Sequence, residues 1–104
     1  MNTLRQAVQE YLVLRRNLGF KLRDAGKGLF DFVSYMEQHQ ASYITQALAL
    51  DWAQQPEDVQ PAYWARRLGF VRVFARYRST SDPRTEIPQH GLLPFEPKRV
   101  LPYL

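Results

Sequence analysis

Cysteine is missing from all 104 residues, which excludes a disulfide framework, a thiol nucleophile and every thiolate metal site. Histidine is scarce. His39 and His90 lie on segments that share no motif, a poor basis for a zinc site. No apolar run approaches the roughly 20 residues needed to cross a bilayer. The opening residues, Met1 to Glu10, alternate polar and apolar side chains and lack the apolar block of a secretory signal. A cytoplasmic protein without a membrane partner is therefore expected. The chain also lacks a Gly-rich phosphate loop, a close serine–histidine pairing and a carboxylate cluster on one helix face. An enzyme acting by itself is the least favoured class, and no metal or other cofactor is expected. Acid is absent from one stretch in particular. Between Pro61 and Ser81 stand five arginines (Arg66, Arg67, Arg72, Arg76 and Arg78) and no carboxylate, although the whole chain carries a net charge of only +4. A segment of one sign points to an anionic partner.

What is present is helical periodicity. Leu4, Ala7, Val8, Tyr11, Leu14 and Leu18 recur at spacings of three and four, which predicts a first helix from about Thr3 to Leu18. Gly19 follows in position for a left-handed cap. Phe20 to Lys27 reads as a charged connection, with Gly26 and Gly28 as flexible points. A second helix is expected from about Lys27 to His39, with Leu29, Phe32, Val33 and Met36 inward. A third, about Thr45 to Gln54, has Thr45 as its N-cap and buries Ile44, Leu48 and Trp52. The fourth starts at Pro61, where the missing N–H costs nothing, and presents Trp64, Leu68, Val71, Phe74 and Ala75 as its apolar face. Asp82-Pro83 stops it. Five of the seven prolines fall within the last 22 residues, a density that neither a helix nor a central strand tolerates. An extended tail is expected, touching the bundle through Ile87, Leu92, Leu93 and Phe95 at most.

The fourth helix carries the chemistry. The helical wheel groups Arg66, Gly69, Arg72, Val73 and Arg76 opposite the apolar stripe, with Arg67 and Arg78 at the other edge. Arginine's planar fork suits phosphate oxygens and guanine edges. Gly69 costs the helix about 1 kcal/mol relative to alanine, and among arginines it is easiest to justify if another backbone comes close. A second basic cluster, Lys21, Arg23 and Lys27, precedes and opens the second helix, where free N–H groups favour phosphate; Asp24 dilutes it. Arg15 and Arg16 are expected to complement the dipole at the end of the first helix. The aromatics at helical spacing are expected in the core. Asp51, Glu57 and Asp58 are expected in solvent.

These residues have a familiar order. The run Tyr11-Leu12-Val13-Leu14-Arg15-Arg16-Asn17-Leu18-Gly19-Phe20 resembles the first helix and turn of the core-binding domain of tyrosine recombinases. Leu29-Phe30-Asp31-Phe32-Val33 is similar to that family's second helix, and Ile44-Thr45 with the short helix after it to the third. The most specific match is Trp64-Ala65-Arg66-Arg67-Leu68-Gly69-Phe70-Val71-Arg72-Val73-Phe74-Ala75-Arg76-Tyr77, which resembles the fourth. Asp82-Pro83-Arg84-Thr85 and the proline-rich exit resemble the segment leading to the catalytic domain. The resemblance covers nearly all of the chain.

It implies an all-α, four-helix SAM-like orthogonal bundle over residues 1–81, with residues 82–104 as a proline-rich linker toward a catalytic domain. It implies double-stranded DNA as partner, with contacts from Lys21 and Lys27 and from Arg66, Arg67, Gly69 and Arg72. The basic cluster adds Arg23, and the wheel adds Arg76. The family's catalytic tyrosine, arginines, lysine and histidines have no counterpart here, because Tyr103 stands in a tail without that set. Catalysis is expected from another domain of the same parent protein, with other recombinase protomers as further partners on DNA. The alternative is a SAM-like protein-interaction domain that does not bind DNA. A helix-turn-helix regulator fits less well, since the Gln54–Pro61 connection is long and acidic.

Overall fold

Two of the four helices begin at a side-chain N-cap, and glycine or proline marks other helix ends. The computed structural model describes residues 2–93, so Pro94, Phe95, Pro97, Pro102 and Tyr103 lie outside the described residues. Four helices follow in chain order: α1 (Leu4–Asn17), α2 (Arg23–Gln38), α3 (Gln46–Ala53) and α4 (Pro61–Arg78). No strand occurs among the described residues. At the start of α1, Thr3 Oγ1 accepts from Gln6 N–H, while Gln6 Oε1 accepts from Thr3 N–H, a reciprocal capping box. Gly19 ends that helix at φ +91. Its N–H donates to Arg16 O and that of Phe20 to Arg15 O, the paired bonds of a Schellman turn. Thr45 caps α3 by accepting from Leu48 N–H at 3.2 Å. Pro61 opens α4, and Gln60 before it makes no side-chain cap.

The second helix begins one turn earlier than its sequence pattern predicts, at Arg23 rather than Lys27. Gly26 and Gly28 are packing positions inside the helix, not flexible points. A Cβ on Gly28 would stand 2.8 Å from Phe70 Cδ2 of α4, and one on Gly26 would reach 3.5 Å from Leu12 Cδ1 of α1. A bare Gly28 therefore lets the start of α2 settle against α4, and this packing outweighs its poor helix propensity, whereas a Cβ at Gly26 would make only an ordinary contact.

Helices α2 and α4 each pack against all three others, whereas α1 and α3 do not meet. The core lies between them, with Val8, Leu12, Leu29, Phe32, Met36, Ile44, Trp52, Leu68, Val71 and Phe74 fully buried. Phe32 meets Trp52 edge-on at 5.2 Å, and Tyr11 meets Phe74 the same way at 5.4 Å. One part of the predicted apolar stripe stays outside. Leu14 and Leu18 are 46% and 65% exposed, while Leu12, off that stripe, is buried in their place.

Residues 82–93, which follow α4, are tied back to the bundle by polar contacts. Asp82 is fully buried and accepts from Arg84 Nε at 3.0 Å and Nη2 at 2.9 Å. Arg78, also buried, donates to Asn2 Oδ1 and to Asn2 O, joining the end of α4 to the start of the chain. Further on, Glu86 N–H donates to Ile44 O, and Glu86 Oε1 accepts from Gln46 N–H at the start of α3. Leu93 is buried and Leu92 packs on the core, but Ile87 is 40% exposed. The expected apolar touch points are thus joined by polar ties that the proline pattern does not reveal.

Candidate nucleic-acid interface

Four residues make a stripe along the outer side of α4: Arg66, Gly69, Val73 and Arg76, spaced by three, four and three. Arg66 and Arg76 are exposed, and Val73 is 43% exposed. Arg66 Nη2 lies 2.8 Å from Asp24 Oδ2 on the first turn of α2, and its guanidinium sits 5.5 Å from the centre of the Phe70 ring. Arg76 Nη2 is 3.3 Å from His90 Nε2. Between these arginines, a Cβ on Gly69 would meet nothing within 4 Å. The protein's own packing gives no reason for glycine there. Contrast Gly28, which any side chain would force against Phe70.

Lys21, Arg23 and Lys27 are all exposed at the start of α2, the end of that helix which Asp24 ties to Arg66. The two basic clusters seen in the sequence are therefore neighbours in space. The positive side chains at the start of α2 and the Arg66 end of α4 adjoin across the Asp24–Arg66 contact, giving a mainly basic patch. Its chemistry suits an anion with a long backbone.

Two predicted contact residues are elsewhere. Arg67 is buried with its guanidinium 3.8 Å above the Trp52 ring, donates to Trp52 O at 2.8 Å and comes within 3.8 Å of Asp31. It fastens α4 to α3 and α2. Arg72 is only 5% exposed, and donates from Nε to Pro88 O at 2.9 Å and from Nη2 to Gln89 O at 3.0 Å. Its expected place opposite the apolar stripe is corrected by the same helical geometry. At 100° per residue it lies about 120° from Arg66 but about 60° from Ala75. The 82–93 segment then covers it. Arg78, read as an edge residue, is inside as well.

The acids are likewise sorted by packing. Asp51 is exposed, as expected, and accepts from the Tyr35 hydroxyl at 2.6 Å, while Asp31 accepts from Trp52 Nε1 at 2.8 Å. Burial, reinforced by the bond to Asp51, pushes the Tyr35 hydroxyl up to about 12. Glu57 and Asp58 are exposed, as expected. No group of three or more metal-ligating side chains occurs among the described residues. No described helix is long and apolar enough to cross a membrane.

Comparison with known proteins adds one result to this geometry. Over all 104 residues the chain is 61% identical to "Putative integrase/recombinase y4rB" of Sinorhizobium fredii (strain NBRC 101917 / NGR234). The chain spans 33% of that relative's length. No protein-family profile matches the chain, and no solved structure does. The helix motifs resemble those of tyrosine recombinases, and this similar protein bears an integrase/recombinase name.

Proposed function

We propose that this chain is a DNA-binding module of an integrase-type recombinase, gripping duplex DNA through α4 and the start of α2. The contact set is Arg66, Gly69 and Arg76 on α4, with Lys21, Arg23 and Lys27 beside them. Arg67 and Arg72, which the resemblance includes among contacts, serve by holding α4 and the exit segment in place. The observation that carries the reading is Gly69. It is a helix-interior glycine that nothing in the protein requires, set between two exposed arginines. Affinity comes mainly from phosphates, with base edges reached by arginine where a groove allows. The cutting and joining chemistry belongs to a catalytic domain of the parent protein, and other protomers join on DNA. A cytoplasmic setting follows from that partner.

Fluorescence anisotropy of a labelled duplex, titrated at several salt concentrations, tests this. Binding should weaken linearly with log salt; Arg76→Gln should reduce the slope by about 0.9, and Arg66→Gln, whose arginine is already paired with Asp24, by less. Unchanged slopes in both variants would remove α4 from the interface. A second reading, a protein-interaction domain, is favoured by one observation. Val13, Leu14, Leu18 and Phe20 expose 57%, 46%, 65% and 46% of their surface around the end of α1. On that reading duplex DNA does not bind even at low salt.

A further inference from the structure

The one acid within the basic cluster at the start of α2 is Asp24, and the structure sets it against Arg66 of the proposed DNA surface. The close approach of Gly28 to Phe70 presses the start of α2 onto α4. One turn earlier on both helices, Asp24 and Arg66 meet at 2.8 Å. The two side chains are 62% and 55% exposed, so water and mobile ions reach the pair and it opens readily. Arg76, by contrast, has the imidazole of His90 rather than an acid beside it. A carboxylate in the first turn of a helix has an ordinary role, since it complements the dipole. That role does not call for an arginine partner on another helix.

We propose that Asp24 competes with DNA phosphate for Arg66, and so limits the affinity of this surface for duplex DNA and the steepness of its salt dependence. The inference rests on the DNA reading above. A phosphate that takes Arg66 must displace a carboxylate, exchanging one ion pair for another, and the freed carboxylate then faces the DNA backbone. A phosphate that takes Arg76 displaces no charge. Arg66 therefore contributes less than Arg76 in the wild-type protein, although both stand on the same stripe. Removing the charge of Asp24 frees Arg66 to act as a full phosphate contact.

The test is a double-mutant cycle by anisotropy on one labelled duplex across a salt series, using wild type, Asp24→Asn, Arg66→Gln and the double variant. The substitutions lie on the surface, and an unchanged helical circular dichroism signal checks that each variant is folded. Asp24→Asn should bind about five- to tenfold more tightly at low salt, with a log–log slope steeper by about 0.9. In the Arg66→Gln background the same substitution should gain distinctly less, since only the repulsion of an unpaired carboxylate is relieved there. An equal gain in both backgrounds would overturn the proposal, reducing Asp24 to general repulsion of DNA. Weaker binding by Asp24→Asn would also overturn it, since Asp24 would then be presenting Arg66 to DNA. Absence of wild-type binding would instead overturn the DNA reading itself, and this inference with it.

Discussion

Replacing Gly69 with alanine separates what the fold needs from what the proposed ligand needs. The new methyl would point into open space, with no atom within 4 Å, so it introduces no clash within the protein. Gly69 is inside an 18-residue helix, where alanine is favoured over glycine by about 1 kcal/mol. For a domain of this size that gain raises the unfolding midpoint by about 4–8 °C. At the interface the expectation reverses. A backbone resting on the bare helix at Gly69 would be pushed outward by the methyl, at about 1–3 kcal/mol, or roughly five- to 150-fold in affinity. The assays are thermal unfolding by circular dichroism and anisotropy titration at fixed salt. A variant that is both more stable and weaker in binding fits the reasoning. One that is more stable and binds equally well would refute the close approach at Gly69. One that is less stable would refute the claim that the fold has no use for glycine there.

Other perturbations test the internal arginines, a turn and an acid. Arg72→Met should loosen the segment that Arg72 ties through Pro88 O and Gln89 O, seen as faster amide exchange around residues 86–93, while leaving the salt slope of DNA binding unchanged. A slope reduced as much as by Arg76→Gln would return Arg72 to the contact set. Gln40 holds φ 54 at the end of α2, where its N–H bonds Glu37 O and that of Ala41 bonds Met36 O. Gln40→Gly should stabilise the fold by about 0.5–1 kcal/mol, read from chemical denaturation; a loss of stability would count against strain at that turn. The hydrogen bonds from Arg84 hold the Asp82 carboxyl below its ordinary value of 3.8. A depressed acid contributes stability above its unfolded pKa and loses it as pH falls through the folded one. The melting temperature should therefore fall more steeply below about pH 4 in wild type than in Asp82→Asn, and parallel curves would exclude Asp82 as the source.

Much of this architecture follows from the order of residues alone. Thr3, Gly19, Thr45 and Pro61 mark helix ends because each satisfies, or does without, backbone groups that a helix leaves free, and that chemistry is local. The spacing of Leu29, Phe32, Val33 and Met36, and of Leu68, Val71, Phe74 and Ala75, settles which faces of α2 and α4 turn inward. The concentration of arginine without acid on α4 is equally visible. Which arginines face water was settled only by packing. Arg67 lies within reach of the Trp52 ring and carbonyl only because α3 packs on α4, and Arg72 is covered only because residues 82–93 return over it. Gly28 and Gly69 look alike in sequence, two glycines in helices, yet one lies under Phe70 and the other faces open space. A residue's periodicity gives its angle around its own helix. Its neighbours at that angle come from distant parts of the chain, and they decide whether a charge is a fastening or a surface.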